Sequence, residues 1–413
     1  MFIGALEWLS GIQSGQDVRA PEAVPGYARP RGRIMPGSTL RSLIESLPMT
    51  QESSISTPFT SVDTPALLLD AGALKANIQR MAAFFTHRHC KLRPHFKSHK
   101  CTAIAKLQMK AGAVGITCAK LGEAEVVADA GIRNILIANQ IVGPLKIRRL
   151  IELCRRADPM VAVDSADNVK MLSEHAVAAG VRIGVLVEVD VGMGRCGVAP
   201  GQPALELARL VASSAGLRFE GLQGYEGHCV DLRDETERTA KTSESLTALV
   251  ETRQLIEHSG LRVNIVSGGG TGTYTINGDC EGVDEVQAGS YAAMDWWYGD
   301  IRPEFKQAMS ILATVISRPK PGLMVIDVGR KGVGSEWGAP RVKNLLGSEV
   351  VSYSSEEHMK IAVPEDSTIK IGDRIEIIPS HGCTTSNLYS EFIVHEDGVV
   401  TDKWPIEGRG KLQ

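Results

Sequence analysis

The chain has 413 residues, 43% hydrophobic and 23% charged, the balance of an ordinary globular protein with room for one large domain and a smaller one. Its 45 basic and 48 acidic residues are interspersed and leave a formal charge of -3, so neither nucleic acid nor a charged membrane surface is an expected partner. No apolar run is long enough to span a bilayer, and Glu7 precedes any basic residue, unlike a secretory leader, so a cytoplasmic protein without membrane contact is expected.

Residues 1–60 are rich in Pro, Gly, Ser and Arg, above all over 20–38, with one short amphipathic patch at 40–47. They read as an N-terminal extension or arm. From Thr64 apolar runs of strand length alternate with helical stretches. A strand over 64–69 leads into a helix over 74–86. Strands follow at 92–97, 114–118, 134–138, 160–163, 183–191, 222–225, 263–266 and 285–287. These eight strands, separated by helices, predict an α/β fold with a (βα)8 TIM-like barrel over 61–303. A doubly wound open sheet is the competitor, disfavoured because no GxGxxG follows an early strand. Beyond residue 303 the strands at 310–316, 323–328, 361–363, 374–378 and 392–394 predict a C-terminal, mostly antiparallel β domain over 304–413. The eight cysteines are scattered without a CxxC pair and read mostly as small, reduced core residues.

Chemistry gathers where the barrel strands end. In the stretch from Lys91 to Cys101, an extended chain places Arg93, His95 and Lys97 on one face. A lysine among other cations gives up its proton more readily, the requirement of a Schiff-base amine; the plainer alternative is an exposed basic loop. After the seventh strand, Ser267-Gly-Gly-Gly-Thr-Gly-Thr273 offers backbone N–H groups and hydroxyls to a phosphate, through Ser267, Gly269, Gly270 and Thr271. Gly289 and Ser290 after the eighth strand add a second arm. A tight turn is the alternative, but this is where barrels of this kind hold phosphate. A Schiff-base lysine and a phosphate cradle together imply pyridoxal 5'-phosphate. In the β domain, His381-Gly-Cys383 joins an imidazole to a thiol, two donors suited to a borderline-soft divalent metal but too few to close a tetrahedral site.

Arg93-Pro-His-Phe-Lys97-Ser-His-Lys100, Gly192-Met-Gly-Arg195-Cys-Gly197 and Ser267–Thr273 resemble the alanine-racemase-type (fold type III) pyridoxal phosphate enzymes, within them the D-threonine aldolase and D-serine dehydratase group. The likeness runs from about Pro58 to the C-terminus. It implies that Lys97 carries the cofactor, that Arg195 contacts the cofactor ring or its phenolic oxygen, and that His95 and Tyr225 are ring neighbours. It also implies that His381 and Cys383 bind zinc or manganese, possibly magnesium. His228, in Tyr225-Glu-Gly-His228, resembles a histidine placed near the substrate hydroxyl as a general base. Asp327 matches a strand–turn signature and is structural. A homodimer is implied by the same resemblance.

The expected function is a pyridoxal phosphate- and metal-dependent lyase on D-3-hydroxy amino acids. Cys383 at the second position leans toward zinc-dependent dehydratases. The sequences around His381 and from Gln287 to Asp295 look more like the aldolases, so cleavage to glycine and an aldehyde is the preferred reading. D-serine or 3-hydroxy-D-aspartate dehydratase is the alternative, with a racemase disfavoured by the His381–Cys383 pair and a non-catalytic pyridoxal phosphate-binding protein as the option of another class. Trp296, Trp297 and Tyr298 are placed to line an apolar substrate pocket.

Overall fold

The computed structural model describes residues 57–413; the expected arm up to residue 56, with its patch at 40–47, lies outside the described residues. The first described strands are β1 (Thr57–Pro58) and β2 (Ala66–Asp70). Eight more follow: β3 (Lys91–Leu92), β4 (Ile116–Cys118), β5 (Asn134–Gln140), β6 (Asp158–Val163), β7 (Ile183–Glu188), β8 (Leu217–Gly224), β9 (Ile265–Gly268) and β10 (Glu285–Val286). They make one parallel sheet in the order β3-β10-β9-β8-β7-β6-β5-β4. Its two end strands meet as well. His95 bridges Thr117 in parallel, and the N–H groups of Val114 and Thr117 donate to the carbonyls of Leu92 and Pro94. The sheet is therefore a closed, TIM-like barrel.

Closure explains the strand composition. Strands covered on both faces are mostly apolar, and every residue of β7 is buried, Glu188 at its carboxyl end included. Leu136, Met160, Leu186 and Ile265 form one buried cluster, a packed inner layer drawn from four strands. A larger cluster lies between strands and helices. At β8 the pairing with β7 slips, and Gly221 takes φ +146°; a Cβ there would meet the carbonyl oxygen of Ile265 at 1.9 Å, so only glycine permits the strands to close. The helices begin at recognisable caps: Asp234 accepts from the Glu237 N–H ahead of Glu235–His258, and Pro144 opens the helix Pro144–Cys154. No helix among the described residues is long and apolar enough to cross a membrane.

The remaining strands are β11 (Met309–Lys320), β12 (Leu323–Ile326), β13 (Arg341–Val342), β14 (Glu349–Ser352), β15 (Met359–Ala362), β16 (Arg374–Ile378), β17 (Glu391–Glu396) and β18 (Val399–Pro405). With β1 and β2 they form a ten-stranded, mostly antiparallel sheet. The sequence reading missed β13, β14 and β18, which are short or largely exposed.

Two sequence expectations are corrected. The strand expected over 64–69 as the lead-in to the barrel forms as β2, but it runs antiparallel to β11 and parallel to β17 in the C-terminal sheet. Ala66, Leu67, Leu68 and Leu69 are all buried, Leu67 and Leu69 in the main core and Ala66 and Leu68 in a second cluster with Leu312 and Ile393. A run that is apolar on both faces carries no mark of the sheet that will accept it.

The second correction concerns the cationic face. The chain stays extended through His95 and turns only at Phe96–Ser98, but the Arg93 side chain reaches back toward the amino ends of the strands, away from Lys97. Its guanidinium pairs with both carboxylate oxygens of Glu285, at 2.7 and 2.6 Å, and donates to Asn134 Oδ1 at 2.9 Å. Glu285 and Asn134 are the first residues of β10 and β5. Arg93 is thus a structural ion pair at the amino ends of the strands and no part of the surroundings of Lys97. Truncating it leaves Glu285 buried without its partner, so Arg93→Ala is expected to cost about 3–5 kcal/mol in denaturant unfolding. A loss below about 1 kcal/mol, the value of a surface pair, contradicts this placement.

Candidate active site

The carboxyl ends of the strands open into a cavity of about 620 Å³ lined by residues of both sheets' connections. Lys97 lies in a single 3-10 turn, Phe96–Ser98, directly after β3. Phe96 is fully buried and anchors the turn, and the Nδ1 of His95 accepts from the Lys97 N–H at 3.5 Å. Lys97 Nζ is 5.9 Å from the centre of the Tyr225 ring, and the Arg195 guanidinium is 5.5 Å from the same ring. His95, Lys97, Arg195 and Tyr225 all line the cavity. Burial holds the His95 imidazole well below its ordinary pKa, and the charges of Lys97, His99, Lys100 and Arg195 push the same way. It is therefore a neutral ring at physiological pH. Lys100 itself is buried and ion-paired with Glu123, so it adds field rather than a free amine.

The glycine loop is shaped from beneath by a buried carboxylate. Glu226 accepts from the Gly269 N–H at 3.2 Å, Thr273 Oγ1 at 2.6 Å and Asn277 Nδ2 at 2.7 Å. The Gly270 N–H donates to Thr273 Oγ1 at 3.2 Å. Two N–H groups that the sequence offered to a ligand are thus spent within the loop. Gly269, Gly270 and Thr271 line the cavity from one side and Gly289 and Ser290 from the other, with the Tyr291 N–H donating to Thr271 Oγ1 to hold the two arms together. Ser267 does not line it; its Oγ accepts from Gln287 Nε2 at 3.0 Å, beneath the floor. The open space depends on missing side chains. A Cβ at Gly270 would stand 3.1 Å from Val230, and one at Gly289 would meet Ser98 Oγ at 2.2 Å and the His95 carbonyl at 2.8 Å. The space left beside the Lys97 amine fits the phosphate and ring of pyridoxal phosphate.

His381 and Cys383 line the same cavity. They do not share one extended segment: His381 is extended, while Cys383 is in the first turn of the short helix Gly382–Ser386. Both side chains nevertheless reach the cavity. Burial pushes the Cys383 thiol up, but a hydrogen bond with His381 and the charges of His381 and Lys97 outweigh it and hold the thiol below its ordinary value. Asp295 lies behind the pair. Its carboxylate accepts from the N–H groups of Gly382 and Tyr298, each at 2.9 Å, and burial pushes it up to about 6. Nδ1 of His381 is buried and has no hydrogen-bond partner among the described residues. An imidazole with an unsatisfied nitrogen beside a thiol held below its ordinary pKa fits a divalent metal. Among the described residues no group of three or more His, Cys, Asp or Glu gathers, so the pair by itself leaves positions open on any metal it would hold.

His228, like Ser267, is an expected site residue that does not line the cavity. It is exposed and absent from the lining, and its ring lies against Gly192, where a Cβ would come 3.2 Å from Cε1. Sequence reasoning passed over Glu226, which stands inside a motif it quoted, and the cavity-lining Asp231, Gln223 and Trp337, which carry no spacing signal. Of the aromatic trio 296–298, Tyr298 alone lines the cavity.

Residues 69–295 match the family profile of the alanine racemase N-terminal domain, and residues 308–395 match that of the putative serine dehydratase domain. D-threonine aldolase of Arthrobacter sp is 38% identical over 357 residues, covering 86% of this chain and 94% of that one. 3-hydroxy-D-aspartate aldolase of Paracoccus denitrificans (strain Pd 1222) is 35% identical over 381 residues, covering 89% and 96%. The crystal structure of D-threonine aldolase from Filomicrobium marinum is similar with a TM-score of 0.84 at 40% identity, covering 87% of this chain and 100% of that one.

The two cavity-lining cysteines should titrate apart. Cys196 is held above its ordinary value, first by burial and then by Glu188, whereas Cys383 is held below. Because the thiolate is the reactive form, alkylation by iodoacetamide followed by peptide mass mapping should show Cys383 keeping its reactivity to lower pH than Cys196. Replacing His381 with Gln should move the Cys383 profile upward. Coincident profiles, or no movement, contradict the pairing.

Proposed function

We propose, for a chain that belongs to the alanine racemase N-terminal-domain family of pyridoxal phosphate enzymes, retro-aldol cleavage of D-3-hydroxy amino acids to glycine and an aldehyde, with a divalent metal at His381 and Cys383. The carrying observation is that this pair, from the β domain, opens into the same cavity as Lys97 and the glycine loop of the barrel. A racemase or a carrier needs the second set only. The likeness to aldolases along almost the whole chain supports the same choice.

Each residue has work that follows from its place. The Lys97 amine would anchor the cofactor covalently through its aldehyde carbon. Thr271 and Ser290 hold its phosphate, in space left by Gly269, Gly270 and Gly289. His95, kept neutral, packs the ring without adding charge, and Arg195 above Tyr225 supplies a cation at the ring's edge. When bound, pyridoxal phosphate accepts the electron pair left on the α-carbon as the Cα–Cβ bond breaks. Zinc, manganese or magnesium at His381 and Cys383 would act as a Lewis acid toward the 3-hydroxyl. Its proton needs an acceptor inside the cavity. His228 lies outside the lining, and the carboxylate of Asp231 is within it, so Asp231 takes this role in our reading.

A second reading, dehydration to a keto acid and ammonia, is favoured by one observation: the stretch that carries Cys383 falls in the match to the serine dehydratase domain. There Lys97 removes the α-proton and the same pair assists departure of the hydroxyl. Product analysis of the cofactor- and metal-loaded protein separates the two. Acetaldehyde and glycine from D-threonine are expected; a keto acid and ammonia from D-serine, without aldehyde from D-threonine, overturns the aldolase. Lys97→Ala should abolish turnover and the visible absorbance of protein-linked cofactor, and a chelator should abolish turnover while leaving that absorbance. Activity that survives the chelator removes the metal from the account.

A further inference from the structure

We propose that Glu336 is a positioning residue for the metal pair: its carboxylate accepts the Nδ1 proton of His381, fixes that tautomer and turns Nε2 to the metal. This rests on the metal reading above and adds a residue outside the sequence motifs. A histidine that binds a metal through one nitrogen carries its proton on the other, and that N–H needs an acceptor. Nδ1 of His381 is buried and has no hydrogen-bond partner among the described residues. The anionic group facing it is Glu336, whose Oε1 is 3.5 Å away. The other oxygen, Oε2, accepts from Thr384 Oγ1 at 3.0 Å, and Thr384 directly follows Cys383. The carboxylate is therefore tied to the same short helix that carries the thiol.

The neighbour of Glu336 completes the arrangement. Trp337 stacks on the His381 ring with centres 3.8 Å apart and planes 15° from parallel. Stacking fixes the plane of the imidazole but leaves two ring orientations, related by a flip. Glu336 chooses between them, because one orientation gives its carboxylate a donor and the other gives it a C–H. The segment 334–337 is held in turn by the Gly334 N–H, which donates to Thr385 Oγ1 at 3.0 Å. Closing 3.5 Å to a full hydrogen bond takes a small rotation of a side chain that is 44% exposed. That exposure also means that Glu336 can be replaced without opening the core.

The test is calorimetric titration of Zn²⁺ and Mn²⁺ into the pyridoxal phosphate-loaded full chain. Wild type should bind and His381→Ala should not. Glu336→Ala should bind about 10- to 100-fold more weakly, the usual effect of losing such a partner. Glu336→Gln, whose amide oxygen still accepts from Nδ1, should fall between. Melting temperature and cofactor absorbance should match wild type in both Glu336 variants. With saturating Co²⁺, the thiolate-to-metal absorption should be the same in wild type and Glu336→Ala, since the donors to the metal are unchanged. Wild-type affinity in Glu336→Ala overturns the proposal while leaving the metal site standing. A changed cobalt spectrum also overturns it, because Glu336 would then be a ligand. Wild type that binds neither metal, or His381→Ala that binds like wild type, overturns the metal reading itself.

Discussion

The Ser386 hydroxyl donates to the Ser98 carbonyl at 3.0 Å, joining the turn that carries Lys97 to the helix that carries Cys383. Nearly three hundred residues separate its ends, and it is buried. A single hydrogen bond of this kind contributes only about 1 kcal/mol to stability. Its importance is positional: it ties the turn of Lys97 to the helix of Cys383. The approach also depends on Gly289, where any side chain would collide with Ser98 and with the His95 backbone. The cavity exists because two separately built scaffolds are brought this close, and reaction geometry is sensitive to displacements of about 1 Å.

Around that contact the charges are arranged so that each reactive group has a defined form. Burial keeps His95 neutral, and the charges of Lys97 and Arg195, which face the same cavity, push the same way. Burial pushes the Cys383 thiol up, but the hydrogen bond and charge of His381, with Lys97 behind them, hold it below its ordinary value. Glu226 is kept on the other side of the glycine loop, with three donors on its carboxylate, so a negative charge lies near the phosphate cradle without pointing into it. Asp295 behaves similarly behind the metal pair, accepting two backbone N–H groups that set the peptide between His381 and Cys383. Buried carboxylates here fix backbone shape, which a packed apolar residue could not do.

What could be read from the sequence follows from the range of the forces involved. The βα period is local, so the eight barrel strands were legible, and the position of the glycine loop after the seventh located the cradle. Lys97, Arg195, His381 and Cys383 lie in short motifs with distinctive chemistry. Interactions between distant residues left no trace. Arg93 looked like part of the cationic face because its partner Glu285 lies in β10, at the far end of the barrel sequence. β2 is apolar on both faces and therefore silent about which sheet receives it. The loop N–H groups of Gly269 and Gly270 looked free until Glu226 and Thr273 claimed them. His228 was a motif match whose loop carries it outside the cavity.

The central claim is that one cavity holds a cofactor on Lys97 and a metal on His381 and Cys383. It is tested most directly by anomalous diffraction from crystals of the protein loaded with pyridoxal phosphate and zinc. The account predicts continuous density between Lys97 Nζ and the cofactor, its phosphate at Thr271 and Ser290, and a zinc peak at bonding distance from His381 Nε2 and Cys383 Sγ. Zinc bound away from that pair, or cofactor joined to a different lysine, would contradict it.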